Sequence, residues 1–279
     1  MRPSHQAFFL LTLSLAAHAH APACRGSRGY RGFQGPAGPS EIAAAVFTTA
    51  GNFTWTVPSG VTVITVQVWG PGGASLSVGP TTVDNGAVTG GGGGGGFAQA
   101  SVNVIPGQTV HIHVGLGATE STVNPDLSSA SDVSQTAFLV TSTGGENGLI
   151  TTFVGGLALG GAGGTGDVAV TASVVSGTIV TTAGTSGGTS SLSNIIVPAV
   201  GQVALVAQAA NGGASTSGGQ GGQGVTLVTS STGGNTNGEA AGVSGNAPGG
   251  GASGAISLGG LSIVTPGAPG TDGQVVIWY

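Results

Sequence analysis

Two histidines on a predicted strand are the residues whose spacing could most directly do chemistry. In "VHIHVG", His111 and His113 stand two positions apart, so both imidazoles lie on one face of the strand. The two imidazoles could coordinate a metal ion, but a zinc site takes further ligands. No Cys, Asp or Glu is obviously placed near the histidines to supply them. We therefore expect both imidazoles to face solvent, while Val110, Ile112 and Val114 face the core. In a trimer, the histidines of three chains could instead share a metal around the axis.

A glycine-rich phosphate site is the second chemistry to consider. The stretch "GAGGTG" (Gly161–Gly166) formally fits G-x-G-x-x-G. A dinucleotide site needs a strand before the motif, a helix after it and an acid about 20 residues further on. Here the strand-like run "DVAVTASVV" follows the motif, and the absence of Lys excludes a Walker motif. The acids are scattered and suggest no glycosidase pair, so we expect no enzymatic activity and no cofactor.

Cys24 and Asn52 are candidates for covalent modification. Cys24 is the single cysteine, so it cannot form a disulfide within the chain, and in a secreted protein it would bridge two chains or remain an inert thiol. Pro22 in "APAC", which lies well past the apolar N-terminal stretch, argues against a lipid attachment site. Asn52 begins the sequon Asn52-Phe53-Thr54, a glycosylation candidate if the secretory route is eukaryotic.

Three tryptophans raise the possibility of sugar binding. Trp55, Trp69 and Trp278 could together form an aromatic platform. Tryptophans in strands more often pack in a core, and we expect core positions for them.

Composition points to an ordered β protein. The chain has 279 residues, of which 58 are Gly, and only 5% are charged, whereas ordinary domains contain about 7% Gly and about 25% charged residues. Disordered chains are rich in charge and poor in β-branched residues, but here Val, Thr and Ile recur in short runs. After Arg31 the chain has no Lys or Arg, so it lacks the cations that neutralise phosphates, and we expect no nucleic-acid partner.

The N-terminus predicts export. Arg2 precedes an apolar stretch, Ala7–Ala17, that is too short to span a bilayer and fits a secretory signal peptide. Ala17-His18-Ala19 is the best cleavage site, which assigns residues 1–19 to the signal peptide. A buried N-terminal helix is the alternative. No later stretch is apolar enough for a transmembrane span, so we expect secretion or passage through a secretory compartment.

A collagen-like segment follows Cys24. In "RGSRGYRGFQGPAGPS" glycine recurs at every third position, as a triple helix requires because only Gly fits at its axis. So short a repeat needs a trimerising neighbour or Cys24 bridges, and a Gly/Pro/Arg-rich linker is the alternative. Residues 20–45 are assigned to this stalk and a junction, with a helix-leaning stretch at Ser40–Val46. The structural glycines of the repeat are Gly26, Gly29, Gly32, Gly35 and Gly38.

The remainder predicts many short strands. "VTVITVQVW" (Val61–Trp69) is apolar on both faces, as in a central strand. A Pro-Ser-Gly turn in "VPSG" precedes it, and a Pro-Gly turn at "IPGQ" joins the next two strands, in "FAQASVNV" and "TVHIHV". Strand-like runs continue to the terminal "GQVVIWY", with glycine blocks between them. Regular short strands with turn residues indicate an all-β sandwich or barrel.

The order of these features resembles the glycine-rich domain of phage tail-fibre, secreted bacterial and giant-virus proteins. The matching stretches are "FTWTVPSGVT", then "VQVWGPGG", a polyglycine run, "VIPGQTV" and the terminal "GQVVIWY". The resemblance covers about residues 46–279. Pro71 departs from it, since the family usually has Gly or Ala there, and residues 118–205 are an unusually Val/Thr-rich candidate insertion.

The resemblance implies a non-enzymatic, jelly-roll-like β-sandwich with glycine-rich loops or polyproline-II-like helices. The run Gly90–Gly96 could be a tether, a phosphate loop or ordered framework. It stands between two predicted strands, at the polyglycine position of the family, and neither Lys nor a helix follows it. We therefore expect ordered, close-packed backbone, with Gly90, Gly93 and Gly96 as structural glycines, and keep a mobile surface loop as the alternative.

These features and the resemblance together predict a secreted, extracellular or virion-surface structural protein, fibre- or coat-like and assembled as a homo-oligomer, by preference a trimer. The first alternative is an adhesin or receptor-binding tip that recognises a surface glycan or protein through its glycine-rich loops. A secreted polysaccharide hydrolase and ice binding by flat glycine-rich helices are more remote.

Overall fold

Short runs of β-branched residues form the strands of this chain, as the composition predicts. In the computed structural model, the compact unit that contains them runs from Ile42 to Tyr279. The structure describes residues 42–81, 86–118, 131–135, 138–151, 156–170, 178–197, 202–230, 238–259 and 264–279. The signal peptide, Cys24 and the collagen-like triplets lie outside the described residues.

All regular secondary structure in the described residues is β. The strands are β1 Ala44–Phe47, β2 Gly51–Thr56, β3 Val63–Trp69, β4 Gly86–Thr89, β5 Phe97–Asn103, β6 Thr109–Val114, β7 Ser131–Gln135, β8 Phe138–Ser142, β9 Ile150–Thr151, β10 Gly156–Ala158, β11 Gly166–Val170, β12 Val180–Thr182, β13 Ser190–Val197, β14 Gln202–Gln208, β15 Thr226–Ser230, β16 Gly238–Ala240, β17 Ile256–Leu258 and β18 Gln274–Trp278.

These strands form four antiparallel sheets that pair into two sandwiches. Sheet 1 has the order β1-β18-β3-β5-β12 and sheet 2 the order β11-β8-β7-β6-β2. Their inward side chains share one core, which defines the first sandwich. Sheet 3 (β10-β13-β14-β15) and sheet 4 (β16-β17-β4-β9) share a smaller core and form the second sandwich. The expected sandwich is therefore confirmed, and it occurs twice.

Alternation of side chains builds the core of the first sandwich. On β6, Val110, Ile112 and Val114 are at most 2% exposed, whereas His111 is exposed. The Pro-Gly turn before this strand has Gly107 at φ 82° and a hydrogen bond of 3.1 Å from the Gln108 N–H to the Ile105 carbonyl. This positive φ is the reason for a glycine at that point of the turn.

Ten glycine-rich segments occupy the space between the two sandwiches. Six of them cross from one sandwich to the other, and four form two hairpins that leave the second sandwich and return to it. We call this set the glycine lattice. Its segments are residues 70–77, 90–96, 143–149, 159–165, 183–189, 209–215, 219–224, 241–246, 249–255 and 266–272.

One sequence-based expectation changes at this level, and a second is not tested. The stretch Ser40–Val46 has helix-leaning composition, but Ala44–Phe47 is strand β1, because Ala44 to Phe47 pair with β18. Tertiary pairing overrides the weak helix propensity of alanine. Strands of residues 118–205 contribute to all four sheets; that this stretch is an insertion relative to the family stays a prediction.

Candidate functional site

The glycine run 90–96, which we call the central segment, forms hydrogen bonds in a period of three. The N–H groups of Gly90, Gly93 and Gly96 donate to segment 143–149, those of Gly91 and Gly94 to segment 183–189, and those of Gly92 and Gly95 to segment 249–255. A three-residue repeat is the geometry of the polyproline-II helix, which has no internal hydrogen bonds and turns its backbone groups outward. The central segment is therefore a three-fold helix bonded entirely to neighbours.

Three further segments donate to the central segment. Segment 159–165 donates from Gly161 and Gly164, segment 70–77 from Gly70 and Gly73, and segment 209–215 from Gly213. Six segments thus surround one, three accepting from it and three donating to it, as in hexagonal packing of rods. The donated bonds join Gly90 to Leu149 (2.8 Å), Gly93 to Glu146 (2.8 Å), Gly96 to Thr143 (3.1 Å), Gly91 to Gly188 (3.2 Å), Gly94 to Thr185 (2.9 Å), Gly92 to Ala252 (2.8 Å) and Gly95 to Gly249 (2.8 Å).

Close approach of backbones requires glycine throughout this segment. A Cβ on Gly93 would fall on the carbonyl oxygen of Ala162, and one on Gly90 on the carbonyl oxygen of Leu159. The Cβ of a residue at Gly96 would collide with the backbone of Thr165 in the same way. The expectation of ordered, close-packed backbone is confirmed, and the alternative of a mobile surface loop is wrong. The whole run is buried.

Outer segments of the lattice carry side chains at the positions that face away from it. In segment 159–165, Leu159, Ala162 and Thr165 are exposed, and the glycines between them face neighbouring segments. The exposed side chains of this segment therefore recur at every third position. Side-chain oxygens also bond lattice amides: Asn147 Oδ1 accepts from the Ala74 N–H (2.8 Å) and Asn211 Oδ1 from the Gly224 N–H (2.7 Å).

The two histidines lie on the outer face of sheet 2. His111 is exposed and His113 half-buried, and His113 Nδ1 is 2.9 Å from Asn52 Oδ1. The bond requires the N–H at Nδ1, because the amide oxygen can only accept. Within the described ranges, no three His, Cys, Asp or Glu side chains form a group that could hold a metal ion. A metal shared by His111 and His113 of several chains stays an untested alternative.

Asn52, the glycosylation candidate, lies on β2 at the edge of sheet 2. Its side chain is exposed, and its oxygen is the partner of His113. Its glycosylation stays a prediction, as does the interchain disulfide of Cys24, which is outside the described residues.

The tryptophans occupy three different environments. Trp55 is half-buried against Tyr279, with ring centroids 5.2 Å apart, and Trp69 is 8% exposed beside Phe97. Trp278 was expected in the core, and that expectation is wrong: it is 40% exposed. On β18 the side chains of Val275 and Ile277 fill the core, so the alternation of the strand turns Trp278 outward.

Two motifs that could be mistaken for catalytic sites lie in the lattice. "GAGGTG" belongs largely to segment 159–165 and leads into strand β11, as the sequence predicted. Sequence reasoning missed "GTSGG" (184–188), which fits G-x-S-x-G. A nucleophile elbow needs a strand-to-helix turn, whereas this stretch lies in extended segment 183–189 and leads to strand β13. Neither motif has the structural setting that its chemistry needs.

Comparison with known proteins identifies the domain. A family model described as a glycine-rich domain matches residues 48–279. No curated protein matches the chain. Among the described residues, no helix has the length and apolarity to cross a membrane.

Proposed function

The chain belongs to the glycine-rich domain family, and we propose that it is a non-enzymatic structural protein of an extracellular or virion surface. In this proposal the first sandwich is the attachment end, the glycine lattice is a stiff spacer, and the second sandwich is the presented end. The observation that carries the proposal is the lattice itself, in which backbone hydrogen bonds rather than side chains join the two sandwiches.

Chain connectivity supports this polarity. The Ala43 N–H donates to the Tyr279 carbonyl (3.0 Å), and the Tyr279 N–H donates back to Ala43 (2.9 Å). Both ends of the described domain therefore lie at sheet 1 of the first sandwich. A crossing segment of seven residues spans about 20 Å at the rise of a polyproline-II helix, so the second sandwich stands well beyond the attachment end.

Stiffness follows from the bonding of the lattice. A single polyproline-II helix is held only by its own backbone preferences, because it has no internal hydrogen bonds. Here the central segment donates through every one of its N–H groups to three different neighbours. Bending one segment would break bonds to several others at once, which makes the bundle resist bending as a unit.

Surface labelling tests the structural role. An antibody raised against residues 42–279 should label intact, unpermeabilised cells or whole virions of the source. Labelling that appears only after permeabilisation would contradict a role on the exterior. Mass spectrometry of the mature N-terminus provides the control, because removal of the signal peptide should leave His20 as the first residue.

Light scattering tests the proposed trimer. Size-exclusion chromatography with light scattering, run on the full secreted chain with and without reductant, should give a trimer mass. A Cys24→Ser variant separates the contribution of interchain disulfides from that of the collagen-like triplets. A monomer in the absence and presence of reductant would contradict both modes of assembly.

A further inference from the structure

The outer face of sheet 1 combines an exposed tryptophan with a row of uncharged polar side chains that are hydrogen-bonded to one another. Trp278 exposes 40% of its surface, while its Nε1–H donates to Gln67 Oε1 at 2.9 Å. The only polar atom of the indole is therefore engaged, and the exposed part of the side chain is ring carbon. A large apolar surface that is exposed and also held in place by a hydrogen bond is a feature to be explained.

Hydrogen-bonded side chains continue from Trp278 across the neighbouring strands. Gln67 Nε2 donates to Gln99 Oε1 at 2.8 Å, and the hydroxyls of Thr65 and Ser101 are 2.9 Å apart. These contacts fix the side chains but use only part of their capacity, because a carboxamide has two donor hydrogens and an acceptor oxygen. The strand register places Gln67 opposite Gln99 and Thr65 opposite both Trp278 and Ser101.

A raised turn bounds one end of this surface. Trp69 and Phe97, the next outward residues along their strands, are buried, and Trp69 Nε1–H donates to the Ser217 carbonyl at 3.2 Å. The turn at Ser217, between lattice segments 209–215 and 219–224, therefore lies beside the open part of sheet 1. This turn therefore bounds the open part of the outer face of sheet 1 at one end.

We propose that this surface, formed by Trp278, Gln67, Gln99, Thr65, Ser101 and Val46, binds a neutral polysaccharide chain. A pyranose ring has an apolar face of C–H bonds, which stacks on an aromatic ring, and an edge of hydroxyls, which bonds amides and hydroxyl side chains. Apolar surface with a few fixed polar groups is the general make-up of a small-molecule site.

The charge and the width of this surface indicate which kind of ligand it binds. None of the described outward residues of sheet 1 is ionisable, so nothing on this face favours an acidic or basic ligand. From β18 to β5 is two strand spacings, about 10 Å, which accommodates about two sugar rings side by side. This binding activity is independent of the structural role proposed above, since a spacer needs no ligand.

Affinity electrophoresis tests the proposal on the full secreted chain. Native gels contain one of the neutral polysaccharides laminarin, xyloglucan, galactomannan or dextran, and gels with polygalacturonate serve as the charged comparison. At least one neutral polysaccharide should retard the protein, and Trp278→Ala should weaken the retardation about tenfold or more, as loss of a central aromatic contact does. Gln99→Ala should weaken it severalfold, and Trp278→Tyr should retain part of it.

Leu157→Ala is the matched control, because Leu157 is an exposed apolar residue (63%) of sheet 3, and it should leave the retardation unchanged. Absence of retardation by every neutral polysaccharide, or equal retardation of wild type and Trp278→Ala, would overturn the proposal. So would a change of mass in light scattering caused by Trp278→Ala, because it would assign the face to contact between copies of the chain. Surface labelling and trimer mass, which test the structural role, do not depend on these outcomes.

Discussion

The sandwiches and the glycine lattice are two solutions to the same problem of filling a protein interior. In the first sandwich, side chains such as Ile64, Val66 and Ile112 exclude water from between two sheets, and burial of apolar area stabilises the fold. In the lattice the backbones themselves are in contact, and successive N–H groups of the central segment bond three different neighbouring segments. The lattice therefore has little apolar side-chain area and depends on hydrogen bonds and dispersion between backbones.

The difference lies in how each region responds to a changed side chain. A core of side chains relaxes partly around a cavity or an extra methyl group. A backbone cannot move away from a new Cβ without losing the hydrogen bonds that fix it on its other sides. The lattice should thus be intolerant at inward positions and tolerant at outward ones, whereas the sandwiches should show graded losses.

Gly93→Ala is expected to have the largest effect. Its Cβ would collide with the Ala162 carbonyl, which itself accepts a bond of 2.8 Å from the Glu146 N–H. We expect a loss of more than about 4 kcal/mol in the free energy of unfolding, the range of severe single substitutions, or no folded protein. Urea denaturation followed by circular dichroism measures this. Gly79→Ala is the control, since a Cβ there meets nothing within 4 Å, and a similar loss in both variants would contradict the lattice interpretation.

Ile112→Ala tests the side-chain core of the first sandwich. Ile112 is 2% exposed in that core, and truncation of such a residue costs about 2–5 kcal/mol. The same urea experiment should show a folded but less stable protein. Ile105→Ala, at a residue 69% exposed, should have nearly wild-type stability. If Ile112→Ala reduced the free energy of unfolding more than Gly93→Ala does, the proposed contrast between the two regions would be wrong.

Asn147→Ala tests a side chain that serves the lattice. In the native protein the Ala74 N–H donates a buried hydrogen bond of 2.8 Å to Asn147 Oδ1. The substitution removes this acceptor from the Ala74 N–H. An unsatisfied buried donor costs about 1–3 kcal/mol, and thermal unfolding should show the corresponding decrease in Tm. Asn211→Ala removes a similar bond, to the Gly224 N–H, from an exposed residue. Water can replace that bond, so equal losses in the two variants would argue against burial as the cause.

Ala162→Ser should have the smallest effect. Ala162 is on an outer lattice segment with its side chain exposed, and exposed substitutions usually change stability by less than about 0.5 kcal/mol. Thermal unfolding of this variant should coincide with that of wild type. A marked destabilisation would show that outward positions of the lattice are constrained as well.

Much of the fold could be predicted from sequence patterns. Runs of apolar and β-branched residues located β3, β5, β6 and β18, and Pro-Gly signals located the turns at Gly60 and Gly107, where φ is 84° and 82°. Strands β4, β10 and β16 were missed because they are three or four residues long and contain glycine. So short a strand has no detectable period, and it exists because partners on both sides bond it.

The candidate surface was less predictable. Sequence reasoning named Trp278 as one of three tryptophans but expected all of them in the core. The informative signal is its position on β18 one residue after Ile277, which fills the core. Its neighbours Gln67 and Gln99 come from strands far apart in sequence, and no local pattern connects them.

The sequence by itself determined the fold class, and it favoured ordered framework for the run Gly90–Gly96, because seven residues without side chains between strands can pack only through their backbone. The burial and hydrogen bonds of the run excluded the alternative of a mobile loop. The tertiary structure alone decided which segments surround that run. A polyproline-II helix has no internal hydrogen bonds, so its partners are chosen by the sheets that bring distant segments together. The same cause explains segment 249–255, which contains Ala252 and Ser253 and nevertheless lies deep in the lattice. There, Ser253 Oγ accepts from the Val243 N–H of the adjacent segment (2.9 Å), an arrangement that depends on where the two segments meet and not on the composition of either.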